Sequence, residues 1–131
     1  MQGKIVRIIS NLYTIETDIG LLDCRARGKF RKCAITPLVG DMCVIDKENN
    51  YILEVLPRKN ELARPQIANV DVALIVTSLK KPNLSFHLLD KMISIISINH
   101  IEPILVFTKL DLLNKNEKKE FKKIKKYIKN V

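Results

Sequence analysis

Val106-Phe107-Thr108-Lys109-Leu110-Asp111-Leu112-Leu113 is the stretch on which the fold turns. An apolar run, Ile104–Phe107, reads as a strand, and a Lys-x-Asp tripeptide follows at its carboxyl end. In open α/β sheets ligands bind at that end of the strands. A carboxylate placed there accepts two hydrogen bonds, matching the ring N–H and exocyclic amine of guanine. Adenine offers no such pair and would leave the acid unsatisfied. The apolar stem of Lys109 can lie across a base while its ammonium stays near water. Thr108, Lys109, Leu110 and Asp111 are therefore a candidate base-recognition loop. The bland alternative is a surface loop with an Asp near a helix start.

Working outward, Val70–Thr77 is nearly continuously apolar with one Asp, the pattern of a strand buried on both faces. Pro82-Asn83-Leu84-Ser85 supplies helix-start residues, and Leu88, Leu89, Met92, Ile95, Ile96 and Asn99 follow at helical spacing. The spacing predicts a helix over 86–99, ended by Pro103. A basic helix over 116–129 carries Phe121, Ile124 and Ile128 on one side. Strand, helix, strand, helix implies a parallel pair with a right-handed crossover. Two strands and two helices cannot cover both faces of a sheet. Residues 70–131 are thus expected to be an incomplete α/β segment, a parallel βαβ like that of P-loop GTPases, with its remainder beyond Val131.

The N-terminal part has a different period. Lys4–Ile9, Leu12–Thr17, Leu21–Ala26, Met42–Asp46 and Tyr51–Leu56 are short β-rich runs. Ser10-Asn11, Asp18-Ile19-Gly20 and Glu48-Asn49-Asn50 punctuate them. Five such strands predict an all-β, five-stranded OB-fold barrel over residues 1–57. Residues 58–69, with Pro65 and several charges, read as a linker.

Arg25, Arg27, Lys29, Arg31 and Lys32 follow the third strand, with no acid between Cys24 and Gly40. OB-folds bind nucleic acid on this face and its loops. Phe30 could stack on an exposed base; the alternative is a Phe30 tucked into the core. The whole chain has a net charge of +9, which favours a polyanionic partner. Residues 115–131 hold eight Lys and two Glu, and read by themselves as a solvated helix face. Cys24, Cys33 and Cys43 lack CxxC spacing and read as reduced thiols, and His87 and His100 stand alone, so no metal-ligand set can be assembled. No apolar run is long enough to span a bilayer. A cytoplasmic monomer with no membrane partner is expected.

No GxxxxGK[ST] sequence occurs, and the four glycines, Gly3, Gly20, Gly28 and Gly40, all precede the α/β segment. In an ordinary GTPase the phosphate loop comes first and the base loop late; here the base loop follows the first βαβ. That permuted order, with several further stretches, gives a resemblance. The stretches are Gly3-Lys4-Ile5-Val6, Cys24 through Arg31, Val39-Gly40-Asp41, Arg58 through Pro65, Ala68-Asn69-Val70-Asp71, Leu89-Asp90-Lys91 and Thr108 through Leu112. In this order the chain resembles the circularly permuted, small-ribosomal-subunit-dependent GTPases of the RsgA (YjeQ) family. The resemblance implies an OB-fold barrel, a permuted GTPase domain and a C-terminal zinc domain in the full protein. It also implies GTP and Mg2+ as cofactors, the small ribosomal subunit and its rRNA as partners, and GTP hydrolysis during late subunit maturation. The phosphate loop and both metal sites would lie outside this chain, leaving it inactive alone. One departure is Thr108, where the family usually has Asn. The alternative function is a stand-alone OB-fold RNA-binding module without GTPase activity.

Overall fold

The computed structural model describes residues 1–28, 30 and 35–129. They form two compact units, Met1–Asp71 with Asn99–Ile101, and Val72–Ile98 with the chain from Glu102.

The first unit is built on a closed five-stranded barrel. Its strands are β1 (Gln2–Ile9), β2 (Leu12–Thr17), β3 (Gly20–Ala26), β4 (Met42–Asp46) and β5 (Tyr51–Val55). Their order around the barrel is β1-β2-β3-β5-β4, closed by antiparallel pairing of β1 with β4. The pairing of β3 with β5 is parallel and short, Arg25 opposite Tyr51 and Ala26 opposite Ile52. Along β2, Tyr13 and Ile15 point inward while Leu12 and Glu16 stay exposed, as alternation predicts; Thr14 on the outer face is also buried, its hydroxyl donating to Asp23 Oδ1 at 2.7 Å. Ile5, Ile15, Ile45 and Ile52 fill the interior with Cys24 and Cys43, both free thiols. Cys33 lies outside the described residues.

Closure demands close backbone approach at Gly3, where an added Cβ would fall 2.5 Å from Ile15 Cγ2 and 2.7 Å from the Glu16 carbonyl. Gly40 is more constrained still. Its φ is +97°, and a Cβ would sit 1.9 Å from the carbonyl oxygen of Ala68.

That contact shows what residues 58–69 do. Expected to be a linker, they are folded into the first unit. Strands β6 (Glu61–Leu62) and β7 (Ile67–Ala68) form a small hairpin, and Ile67 bridges to Val39. Arg58 grips Asp41, which is completely buried: Nε donates to Oδ1 and Nη2 to Oδ2, both at 2.7 Å. The same guanidinium donates to the Thr36 carbonyl at 2.8 Å and to Glu61 at 2.7 Å. Asp41 also accepts the Leu38 N–H at 2.7 Å, so its carboxylate is fully hydrogen-bonded despite its burial. Hydrogen bonding to Asp41 raises the Arg58 pKa above its already high usual value. The Asn60 amide pairs with the backbone of Val70 in both directions, at 2.7 Å each. A hydrophilic, proline-bearing segment resembles a linker in composition; its order comes from side chain to backbone bonds that no hydrophobic period records.

In the second unit β8 (Val72–Ser78) and β9 (Glu102–Thr108) pair in parallel, joined through helix α1 (Phe86–Ile98). Ser85 caps α1 and accepts the Leu88 N–H at 3.4 Å. Helix α2 (Lys115–Lys129) follows β9. Phe121 of α2 meets Phe107 of β9 edge to face, ring centres 5.0 Å apart. The expectation that β8 is buried on both faces is corrected. Ile75 is buried, but Leu74 and Val76 on the opposite face are 65% and 66% exposed. Val72, Ile104 and Val106 share that exposed face. The apolar run encodes two buried faces, and the described residues supply cover for one.

Candidate functional site

Strands β8 and β9 run in register from Val72 opposite Glu102 to Ser78 opposite Thr108, so Thr108 occupies the last rung at the carboxyl end. Its hydroxyl lies 3.5 Å from the Thr77 carbonyl, and its own carbonyl accepts the Leu79 N–H at 3.3 Å. The chain then breaks direction. Lys109 adopts a left-handed conformation, φ 60°, and leads into a single 3-10 turn, Leu110–Leu112. Leu112 and Leu113 N–H groups donate to the Lys109 and Leu110 carbonyls at 3.1 Å and close it. The sequence alone does not disclose this turn, because one left-handed residue leaves no periodic trace.

The turn carries Asp111 out at the strand end. Asp111 is exposed, and among the described residues no donor occupies its carboxylate. Both oxygens are thus available to a ligand with two adjacent N–H donors. The Lys109 ammonium donates to the Lys81 carbonyl, tying the loop to the segment after β8. A groove of about 410 Å³ between the end of β8 and α1, lined by Val76, Pro82, Leu88 and Met92, includes none of the four loop residues.

The far side of the loop is held by a device absent from the sequence reading. Asn114 and Glu117 form a reciprocal cap on α2: the Glu117 N–H donates to Asn114 Oδ1 at 2.9 Å, and the Asn114 N–H donates to Glu117 Oε1 at 3.2 Å. Lys80 reaches the same Glu117 oxygen at 3.0 Å. The Lys80 hydrogen bond, helped by the Asn114 N–H, lowers the Glu117 pKa below the ordinary carboxylate value. Asn-x-x-Glu ahead of a helix was the available signal.

On the barrel, Arg25 near the end of β3 lies opposite Tyr51 of β5, and Arg27 follows just past the strand. The Arg27 guanidinium sits 5.7 Å from the Tyr51 ring centre and 3.9 Å from Asp46. The Asn49 amide and N–H bonds hold the Asp46 carboxyl below its usual pKa, with a smaller contribution from Arg27. Phe30 is 8% exposed and belongs to the barrel core, so in this conformation it offers no face to a base; the tucked-in alternative is what the structure shows. Tyr51 is the exposed ring beside the arginines, and only the parallel β3–β5 pairing places it there. Lys29, Arg31 and Lys32 lie outside the described residues.

Known proteins share this order of a small closed barrel followed by a parallel strand pair and helices. The model of the RsgA N-terminal domain matches residues 2–52, and that of the RsgA GTPase matches residues 55–131. The chain belongs to the RsgA family. A small ribosomal subunit biogenesis GTPase RsgA from Caldanaerobacter subterraneus is 49% identical over 120 residues, which cover 89% of this chain and 41% of that protein. Its counterpart in Enterococcus faecalis is 41% identical over 128 residues, covering 95% and 43%. Among solved structures, YloQ, described as a circularly permuted GTPase, superposes with a TM-score of 0.83 at 35% identity, covering 98% of this chain and 48% of that one. YjeQ from Thermotoga maritima also gives 0.83, at 32% identity, with 95% and 47% covered. The chain therefore spans about two fifths of the length of these curated relatives.

The barrel followed by a parallel strand pair agrees with the permuted order these neighbours share. The RsgA GTPase region, as matched, begins at residue 55 and so includes the hairpin that packs into the first unit here. Among the described residues no group of three or more His, Cys, Asp or Glu side chains converges as a metal site. Among the described residues there is therefore no cluster that would hold a zinc ion. No helix among the described residues is long and apolar enough to cross a membrane.

Proposed function

We propose that this chain supplies the RNA-binding barrel and the guanine-recognition loop of a small ribosomal subunit biogenesis GTPase. The observation that carries the reading is the unoccupied, exposed Asp111 carboxylate on a 3-10 turn at the carboxyl end of β9, in a chain of the RsgA family. In this reading Asp111 accepts from the guanine ring N–H and amine, Lys109 covers the base, and Thr108 and Leu110 shape the loop. GTP hydrolysis, magnesium and zinc belong to the reading of the whole protein, as does a cytoplasmic site of action. This chain contains no GxxxxGK[ST] sequence to give the phosphates an amide cradle.

The barrel would meet rRNA through Arg25 and Arg27, joined by Lys29, Arg31 and Lys32. Tyr51 is better placed than Phe30 to stack on a base, since its ring is exposed while Phe30 is in the core. The domain division of this reading is a barrel over 1–57 with the hairpin of 58–69 folded into the same unit, followed by the opening of a permuted GTPase domain.

The test is Asp111→Asn in the full-length protein. Two hydrogen bonds to a charged acceptor are each worth roughly 1.5–3 kcal/mol, so GTP affinity should fall by at least about a hundredfold. Xanthosine triphosphate should gain, because the Asn amide can donate to the carbonyl that replaces guanine's amine. Unchanged GTP affinity removes Asp111 from the base site. For the barrel, Arg25→Ala with Arg27→Ala should weaken binding to purified small subunits and flatten its salt dependence by roughly 1.5 in log–log slope.

A further inference from the structure

We propose that the lysine face of helix α2 is a second, sequence-independent binding surface for the phosphates of structured RNA, separate from the barrel. At about 100° per residue, Lys115, Lys118, Lys119, Lys122, Lys123, Lys125 and Lys126 fall within an arc of about 160°. All seven are exposed. Phe121, Ile124, Glu117 and Glu120 fall on the opposite side. The partition of charge around the helix is therefore complete over the described side chains.

Three observations separate this face from an ordinary solvated one. First, no carboxylate among the described residues pairs with any of these lysines. Of the two acids on the helix, Glu117 is committed to Lys80 and to the Asn114 cap, and Glu120, adjacent to Lys119, makes no ion pair among the described residues. Second, the lysines repel one another. Lys115 and Lys119, Lys118 and Lys122, Lys119 and Lys123, and Lys122 and Lys126 are like-charged pairs one turn apart, which weaken a helix unless an anion neutralises them. Third, the charge is local: residues 115–131 contribute eight Lys against two Glu, while the first 114 residues hold 15 basic and 12 acidic residues. A general lysine bias of the chain does not account for it.

The packing also selects the polyanion. A helix that lies in a membrane surface must offer an apolar face to the lipid. Here Phe121 is engaged edge to face with Phe107, and Ile124 shares its side of the helix. What remains outward is ammonium groups spread over about 16 Å of helix, suited to a rigid array of phosphates. Lysine, a compact point charge, fits phosphate contact without base readout.

This inference rests on the RNA-binding part of the proposed function, and its test is kept separate from subunit binding. The full-length protein would be titrated with a 24-base-pair RNA duplex of arbitrary sequence between 50 and 300 mM salt. The variant K118Q/K119Q/K122Q/K123Q retains helix propensity and removes four charges. It should flatten the log–log salt slope by roughly 1.5 to 3 and weaken binding at least about tenfold at low salt. The matching Lys→Arg variant should bind as the unmodified protein does. An unchanged slope in the Gln variant overturns the proposal, as does an equal loss in the Arg variant. Equal loss on vesicles of phosphatidylcholine and phosphatidylserine, with duplex RNA binding unaffected, also overturns it. If the protein binds the duplex through α2 but fails to bind small subunits, the proposed function fails and this inference stands. Subunit binding with an indifferent Gln variant is the reverse.

Discussion

Ile15 in the barrel and Leu74 in the parallel pair are both aliphatic residues inside a strand, yet the first is fully buried and the second 65% exposed. A barrel closes on itself, so every inward side chain finds neighbours and β1 finds β4. Two parallel strands have two faces and two edges. Within the described residues, α1 and α2 accompany them, and Val72, Leu74, Val76, Ile104 and Val106 remain an apolar face in contact with solvent. The same kind of hydrophobic sequence thus yields a finished core in one unit and an uncovered surface in the other. Stability should be distributed accordingly.

The largest contrast should appear in hydrogen exchange. Core amides of β1, β2 and β4 should exchange through opening of the whole barrel, and those of β8 and β9 through local opening. A difference of about a thousandfold or more is expected, about 4 kcal/mol. Equal protection in the two units would break the comparison outright.

Paired truncations sharpen it. Ile15→Ala should cost about 3 kcal/mol by denaturant unfolding, from lost burial and a cavity. Leu74→Ala should stay within about 0.5 kcal/mol. A large loss at Leu74 would mean that the exposed face is covered in solution, by another copy or by another part of the protein.

The third test asks whether the hairpin belongs with the barrel. Arg58→Ala strands the Asp41 carboxylate in the interior and should cost the barrel about 2–3 kcal/mol, toward the low end for a broken buried pair because Arg58 is 22% exposed. No change in barrel stability would restore residues 58–69 to a passive tether.

The smallest effects are in pH, and they run in opposite directions. Burial, aided by Cys24 and Asp41, pushes the Cys43 thiol up to about 11 from an ordinary 9.0. Above pH 9 the unfolded thiol ionises while the folded one does not. The stability present below pH 9 should therefore decline as pH rises towards about 11, and Cys43→Ala should lack that part of the decline in melting temperature. In the second unit Glu117 is shifted down from 4.5. Its contribution is present above that value and is lost as pH falls through its lower folded value. Acid fraying of α2, followed by circular dichroism, should be smaller in Glu117→Gln.

Much of this was legible in the residues. β2 and β4 fall where alternation places them, α1 and α2 within one residue at each end, and Asp111 at the end of an apolar strand. Periodicity reports which side of an element meets the interior, and each of these features is local. The correct surface for Phe30, the exposed ring of Tyr51 and the exposed face of β8 are not local. They depend on the parallel β3–β5 pairing and on what covers a sheet, neither of which leaves a mark within a window of ten residues. The hairpin at 58–69 was hidden for another reason: its order comes from Arg58, Asn60 and Asn69 bonding across the unit, and polar residues have the same composition in a tether as in a clasp. Sequence by itself determined the five barrel strands, the parallel pair, the helices and the permuted order, because hydrophobic period and turn chemistry act between near neighbours. Barrel closure, the Arg58–Asp41 clasp, the left-handed turn that presents Asp111 and the exposed face of β8 were decided only in three dimensions, where burial and hydrogen-bond satisfaction join residues far apart in the chain.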